Sequence, residues 1–507
     1  MALFEVGAQF PPEGDIERLS KYERMRKLFE GKHAEVYERA TEILKDSPHA
    51  PQLEKLYIAV NLADILATKP ADLLVGDPPN YESGFDDESA EQKALNRYVA
   101  NNRLNRLIHE SVIANGYRGD AWLKVRFDYR SDFSEVKALG LEVPDAEMEP
   151  IIEHVDASSV FPETSDGNIK RYKAINIARV EWVEANRRTV PFLNVERHIP
   201  GYIIYQRFKL TPKDVVTEYG VPIQTFIIEE KVATGRENDI VATGLSHMPV
   251  FHIPYKSVDD QWNGIGGLEK IESILAAIND RLVQIDYILW KHSDPTAYGP
   301  DLEGVSNNAV QFGGKYIPVT KDDVVPGYMT WNAQLEAAFK QLDLLISAAF
   351  IMSETPQWIF GTILAGDQRG GTGTSHTDST AIKSRFMPIL SKVRRIRVQY
   401  DRALRDALWT CYLFDRNFGN YRGEAVYPKI EWKDGIPRNE KEEAEIANIR
   451  TGGKPTLDQQ SAIKWLDGVD DQQANEILRR IDEDYNRELG TVDASVFRGA
   501  VEDDSDA

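Results

Sequence analysis

A single cysteine, Cys411, stands in 507 residues, which excludes an intrachain disulfide and any cysteine-based zinc site built within one chain. Its neighbours Trp409, Tyr412 and Leu413 predict a packed, unreactive thiol. Long apolar runs are missing as well: no window approaches the roughly 20 uninterrupted apolar residues of a membrane-spanning helix. Met1 to Pro12 has neither the basic flank nor the apolar core of a secretory signal, so an intracellular start is the expectation. Positive charge is in short supply, with 60 Lys and Arg against 81 Asp and Glu and a formal charge of −21. Spread evenly, that charge repels a polyanion and argues against tight general DNA binding, although it suits a wall past which DNA slides.

Catalytic signatures are absent too. The glycine-rich stretch Gly366-Asp-Gln-Arg-Gly370-Gly-Thr372 has no Lys to reach a nucleotide's outer phosphates and offers Asp367 instead. His109-Glu110 begins like a zinc-protease helix, but position 113 is Ile and 114 is Ala, so the second ligand is missing. Asp467, Asp470, Asp471 and Glu476 lack the central glycine and spacing of a calcium loop and read as an acidic helix start. No Gly-x-Ser-x-Gly elbow occurs, and the nine histidines are scattered. No catalytic residue, metal ligand or cofactor is assigned.

Helical and strand patterns are both present. Apolar residues recur at helical spacing over Arg18–Lys45, Leu53–Leu74 (stopped by Val75-Gly-Asp-Pro-Pro79) and Ser89–Ala114. From Ala121 the period changes to two. Strand-like runs at Ile151–Val155, Tyr172–Ile177, Gly201–Phe208 and Pro249–Ile253 predict one α+β domain over residues 1–260, helices first and antiparallel strands after.

Beyond it, Leu268, Ile271, Leu275, Ile278, Leu282, Ile285 and Leu289 alternate spacings of three and four, predicting a long packed helix entered through Gly264-Ile-Gly-Gly267. After β-like runs at Ala309–Phe312 and Lys315–Val319, a second stripe follows at Leu335, Phe339, Leu342, Ile346 and Ala349. Spacing alone fits a simple helical-hairpin core equally well. A glycine- and hydroxyl-rich stretch, Gly361 to Thr374, reads as a mobile loop. Ser379–Phe414 then carries the stripe Ile382, Phe386, Ile389, Val393, Ile396, Tyr400, Ala403 and Ala407; at about 1.5 Å per residue it would extend roughly 50 Å. Pro388 predicts a kink there. The helix also concentrates bases, Lys383, Arg385, Lys392, Arg394, Arg395, Arg397, Arg402 and Arg405, fit either for ion pairs with a neighbouring subunit or for DNA phosphates. The first use fits better, since a tight hold on DNA would oppose transport. A strand at Val426–Lys433 and helices at Glu440–Ile449, Leu457–Leu466 and Asp471–Leu489 precede an acidic end expected to be disordered.

Tyr22-Glu-Arg-Met-Arg-Lys-Leu-Phe-Glu-Gly-Lys-His33, Asn61-Leu-Ala-Asp64, Lys69-Pro-Ala-Asp-Leu-Leu-Val-Gly-Asp-Pro-Pro79, Gly119-Asp-Ala-Trp-Leu-Lys-Val125 and Gly264-Ile-Gly-Gly-Leu-Glu-Lys-Ile271, taken in this order, resemble the portal proteins of tailed phages. The branch is that of the Bacillus phage SPP1 portal, and the order of segments is similar from Tyr22 to about Leu489. The resemblance implies an α+β portal fold with wing, helical stem, small β clip, long kinked helix and helical crown. Residues 1–260 would be the wing, 261–292 the first stem helix, 293–331 the clip and 332–355 the second stem helix. Residues 356–377 would be the tunnel loop, 378–432 the long kinked helix with a strand returning to the wing, 433–489 the crown and 490–507 a disordered acidic tail.

By the same resemblance the protein is no enzyme. About twelve copies form a ring at one capsid vertex, assembled in the host cytoplasm and carried in the virion. Double-stranded DNA passes through it in packaging and ejection. Partners would be the terminase large subunit, a head–tail adaptor or connector, and the major capsid and scaffold proteins, with no membrane. Gln368, Arg369, Thr372, Thr374, His376, Lys383 and Arg385 are the channel candidates, and the two stripes from Leu268 and Leu335 the packing of the stem. Twelve helices at a spacing of about 10 Å set their axes on a circle ~38 Å across and leave a bore of ~28 Å, wide enough for a hydrated duplex. The rivals are another virion structural protein, such as a head–tail adaptor, and a terminase-type enzyme, which needs the nucleotide loop that is missing.

Overall fold

Helices come first along the chain and antiparallel strands follow, as the change of period near Gly119 predicts. The computed structural model describes residues 3–37, 59–142, 144, 146–185, 188–292, 297–300, 316–319, 327–328, 335–360, 379–433, 440–453, 455–467, 469 and 471–496. The helices are α1 (Glu13–Phe29), α2 (His33–Val36), α3 (Leu62–Val75), α4 (Ala90–Asn101), α5 (Leu104–Arg118), α6 (Ser134–Ala138), α7 (Glu272–His292), α8 (Leu335–Met352), α9 (Ser379–Phe418), α10 (Glu440–Thr451), α11 (Gln459–Asp467) and α12 (Asp471–Val496). The strands are β1 (Gln9–Phe10), β2 (Asn80–Glu82), β3 (Asp120–Asp128), β4 (Glu149–Val155), β5 (Val160–Ser165), β6 (Asn168–Ala185), β7 (Arg188–Ile199), β8 (Tyr202–Glu218), β9 (Val221–Val232), β10 (Ile240–Ala242), β11 (Val250–Pro254), β12 (Ala297–Pro300), β13 (Tyr316–Val319), β14 (Gly327–Tyr328) and β15 (Lys429–Glu431). The mixed α+β class is borne out.

A seven-stranded sheet runs β1-β9-β8-β7-β6-β5, with β10 beside β8; β11-β3-β4 form a second sheet, β13-β12-β14 a third, and β15 pairs with β2. The strands are longer than their apolar runs, 18 residues in β6 and 17 in β8. The second half of β8 pairs with β9 although nearly all of its residues from Thr211 are exposed. A ribbon open to water on both sides has no alternation to read.

The single helix expected over Ser89–Ala114 is two. Arg103 between them adopts a left-handed φ of 45°. The Asn102 amide donates to the Tyr98 carbonyl at 2.9 Å, and its oxygen accepts from the Ile152 N–H at 3.0 Å. That side chain ends α4 and ties the break to β4.

The long helix α9 runs unbroken through Pro388 for 40 residues. Its stripe is buried where the spacing places it, at Ile389, Val393, Ile396, Tyr400, Ala403 and Ala407, packed with residues of α3, α4, α5 and β3. Cys411 lies in the same core, and burial pushes its thiol pKa up. α12 continues past Gly490 to Val496, into the stretch expected to be disordered. The run Ala309–Phe312 lies outside the described residues.

Glycine makes the joint between α5 and the first long helix. Gly119 ends α5 at φ 95°, and a Cβ there would lie 2.7 Å from the Gly266 nitrogen. The Tyr255 N–H donates to the Gly119 carbonyl and the Gly267 N–H to the Gly116 carbonyl, each at 2.8 Å. The stripe's first residues form a turn rather than helix, because the Glu269 carboxylate accepts from the Gly266 N–H at 2.6 Å and holds the chain in this entry. A Cβ on Gly264 would overlap the Gly119 carbonyl oxygen. Gly264→Ala should therefore lower stability by about 3 kcal/mol in denaturant titrations. Gly14→Ala meets open space in α1 and should raise it by ~0.5 kcal/mol.

Candidate assembly and channel surface

One buried carboxylate joins the strands to the entry of the first long helix. Asp120, the first residue of β3, is fully buried. It accepts from the Tyr22 hydroxyl of α1, from the Gly264 N–H at 2.7 Å and from His252 Nε2 of β11 at 2.6 Å. A carboxylate only accepts, so Nε2 is the donor to it, and Nδ1 shares a hydrogen bond of 2.7 Å with the Tyr172 hydroxyl of β6. Trp122 stacks on the ring of His252 at 4.5 Å. Over Trp262, at 5.1 Å, lies the Arg18 guanidinium, which also donates to the carbonyls of Ala157 and Val160 at 3.2 Å. Burial, with Asp120 adding to it, holds the Tyr22 phenol neutral far above neutral pH. The network fastens α1, β3, β6 and β11 to the joint.

From that joint, the stripe of α7 divides in two. Leu268, Ile271, Leu275 and Ile278 are fully buried against Met25, Leu28, Leu62 and Leu66 of the same chain. Leu282 is half-buried, Ile285 buried, and Leu289 exposed. On α8, Leu342 is buried and Ile346 half-buried, whereas Phe339 is exposed; the Leu335 side chain lies outside the description. The most exposed large apolar residues on α8 are Leu344 at 71% and Ile351 at 74%, two turns apart on one face that the stripe does not include. Val398 on α9 is similarly exposed. Apolar faces of this kind on paired helices are unsatisfied in the lone subunit.

α8 ends against α9. Glu354 adopts φ 56°, and Ser353 and Thr355 on either side are buried. The Lys392 ammonium, buried under this turn, donates to the Ser353 carbonyl at 2.9 Å, and Arg395 pairs with the Glu354 carboxylate. Burial pushes the Lys392 pKa down to about 8, with Glu354 acting the other way.

Two further bases of α9 are engaged within the chain: Arg397 donates to the Lys433 carbonyl and Arg405 to the Pro428 carbonyl, both at 2.8 Å. Arg402 is exposed. Gln368, Arg369, Thr372, Thr374 and His376 lie outside the described residues. Lys383 and Arg385 fall in α9, and their side chains are not described. Neither the Asp120 network nor the Lys392 turn was read from sequence. Gly119-Asp120 next to Trp122 was visible, but nothing marked which distant groups would meet that carboxylate.

Among the described residues no cluster of His, Cys, Asp and Glu could hold a metal ion, and no helix is long and apolar enough to cross a membrane. His109 instead lies 3.1 Å from Asp72. Residues 10–179 match the family model described as phage portal protein, SPP1 Gp6-like, which bears out the resemblance over that part of the chain and supports a phage portal role. No curated protein matches the chain.

Lys392 gives a pH signature. Its folded pKa lies below the ordinary value of ~10.4, so the unfolded chain binds more protons between the two values and stability rises with pH there. Across about pH 8 to 10.5 the native protein should gain on the order of 3 kcal/mol relative to Lys392→Met, with the difference flat below pH 7. Denaturant midpoints of both proteins at matched pH would read it.

Proposed function

We propose, from the match of residues 10–179 to portal proteins, that this chain is the subunit of a phage portal: a ring of about twelve copies around a DNA channel at one capsid vertex. Residues 1–260 act as the wing, α7 and α8 as the stem, the β12–β14 segment as the clip and α9 as the strut from wing to channel. α10 to α12 form the crown. The observation that carries the reading, beside the match, is the apolar surface left on the paired helices: Leu289, Phe339, Leu344 and Ile351. Identical copies closing into a ring would bury it.

In this reading the joint at Asp120 sets the angle between wing and stem, and the segment 361–378 approaches DNA. Gln368, Arg369, Thr372, Thr374, His376, Lys383 and Arg385 are its channel contacts. An overall charge of −21 keeps the walls from gripping the duplex, so DNA slides in both directions. The clip receives the terminase large subunit during packaging and the head–tail connector afterwards, while the wing meets the capsid and scaffold proteins. Assembly takes place in the host cytoplasm and the ring stays in the virion. The role is mechanical and needs no cofactor or catalysis.

Negative-stain images and native mass spectrometry should find closed rings with a central hole; a strictly monomeric chain under every assembly condition would overturn the proposal. The double variant Leu344→Asp, Ile351→Asp should keep the parent's circular dichroism, because both sites are exposed, yet fail to form rings. Leu275→Ala, by contrast, lies in the subunit core and should cost about 2–5 kcal/mol of stability. Deleting Asp367 to Thr374 should leave rings intact and reduce packaged DNA.

A further inference from the structure

Between the start of α5, the β11-β3-β4 sheet and one face of the seven-stranded sheet lies a cleft of about 890 Å³. Its lining is rich in both charges, and most of them cancel in place. Arg106 pairs with Glu110 at 2.8 Å, Lys124 with Glu196 at 3.1 Å and Arg207 with Glu181 at 3.1 Å. With Lys124 and His198 beside it, the half-buried Glu196 carboxyl is held at a pKa of about 2 despite the opposing effect of burial, so it stays ionised at neutral pH.

Three lining guanidiniums are left over. Arg103 and Arg179 are exposed and have no carboxylate partner among the described residues, and Arg236 has only the face of Tyr205, 3.8 Å from the ring centre. In a chain with 21 more acids than bases, three unanswered arginines around one cavity are a local reversal of charge. The start of α5 adds to it. Arg103 occupies the cap position with no side-chain capping hydrogen bond, and no acid follows in the first turn, so no acidic side chain there offsets the positive end of the helix. Two lining nitrogens, His154 Nε2 and Arg207 Nε, are buried without a hydrogen-bond partner among the described residues.

We propose that this cleft binds an acidic peptide segment of a partner protein, its carboxylates placed on Arg103, Arg179 and Arg236 and at the open end of α5. A cavity of this size accepts a short segment and not a duplex. The four lining carboxylates, Glu110, Glu153, Glu181 and Glu196, would repel an unbroken row of phosphates. A peptide can set acids at the three arginines and neutral residues elsewhere, which is how mixed charge selects against a polyanion. The inference is independent of the portal reading, since it uses no contact with DNA or with the stem.

The test is fluorescence anisotropy of a labelled peptide of three Asp-Glu repeats, titrated with the full chain. Saturable binding that weakens as salt rises, and roughly tenfold or more weaker binding to Arg103→Gln, Arg179→Gln, Arg236→Gln, would support the proposal. Arg402→Gln, an exposed base on α9, should bind as the parent does. Absence of binding, or equal binding by the triple variant with unchanged circular dichroism, would overturn it. So would a single-stranded oligonucleotide that displaces the peptide at equal charge. Tighter binding after removal of residues 497–507 would overturn it as well, since the chain's own acidic end would then be the occupant.

Discussion

The way α7 leaves the strands is set by the contact of Asp120 with the backbone of Gly264. A buried carboxylate is tolerated only when its oxygens are fully occupied, and here they are occupied by α1, β11 and the entry to α7 at once. Losing any one of these partners would leave charge in the core unsatisfied. The requirement that stabilises the network thus also fixes the direction in which α7 leaves the strands. The glycines around it serve the same end: backbone can meet backbone at Gly119, Gly264 and Gly266 only because no Cβ intervenes.

That rigid joint divides the apolar residues of the long helices into two groups with different roles. Near the joint, Leu268 to Ile278 complete a core shared with α1, α3 and α5. Leu289 near the end of α7, and Phe339, Leu344 and Ile351 on α8, are exposed instead. Electrostatics divide too: Arg395, Arg397 and Arg405 of α9 are held within the chain, on Glu354, Lys433 and Pro428. Three guanidiniums with no carboxylate partner among the described residues sit around the cleft beside α5.

Periodicity made the helices legible. The stripe of α9 from Ile389 to Ala407 was readable because one side of a long helix faces a continuous core, and burial then repeats with the helical turn. The same logic located α7 and α8. It failed where local and tertiary demands differ. A continuous helical pattern over residues 89–114 hid the break at Arg103, because the hydrogen bonds of Asn102 that impose it come from β4, far away in sequence. It also fell short on β6 and β8, whose outer residues face water on both sides and carry no alternation. The Asp120 network had no periodic signal at all.

From its amino-acid order alone, this protein's α+β class, its long packed helices and a resemblance to portal proteins, matched over residues 10–179, were legible, since each depends on residue type and spacing along the chain. Only the folded structure decided which half of each apolar stripe is covered, which bases are already paired and where an unanswered cluster of arginines remains. Those outcomes depend on which remote groups arrive at a given side chain, and spacing along one segment holds no information about arrivals from another.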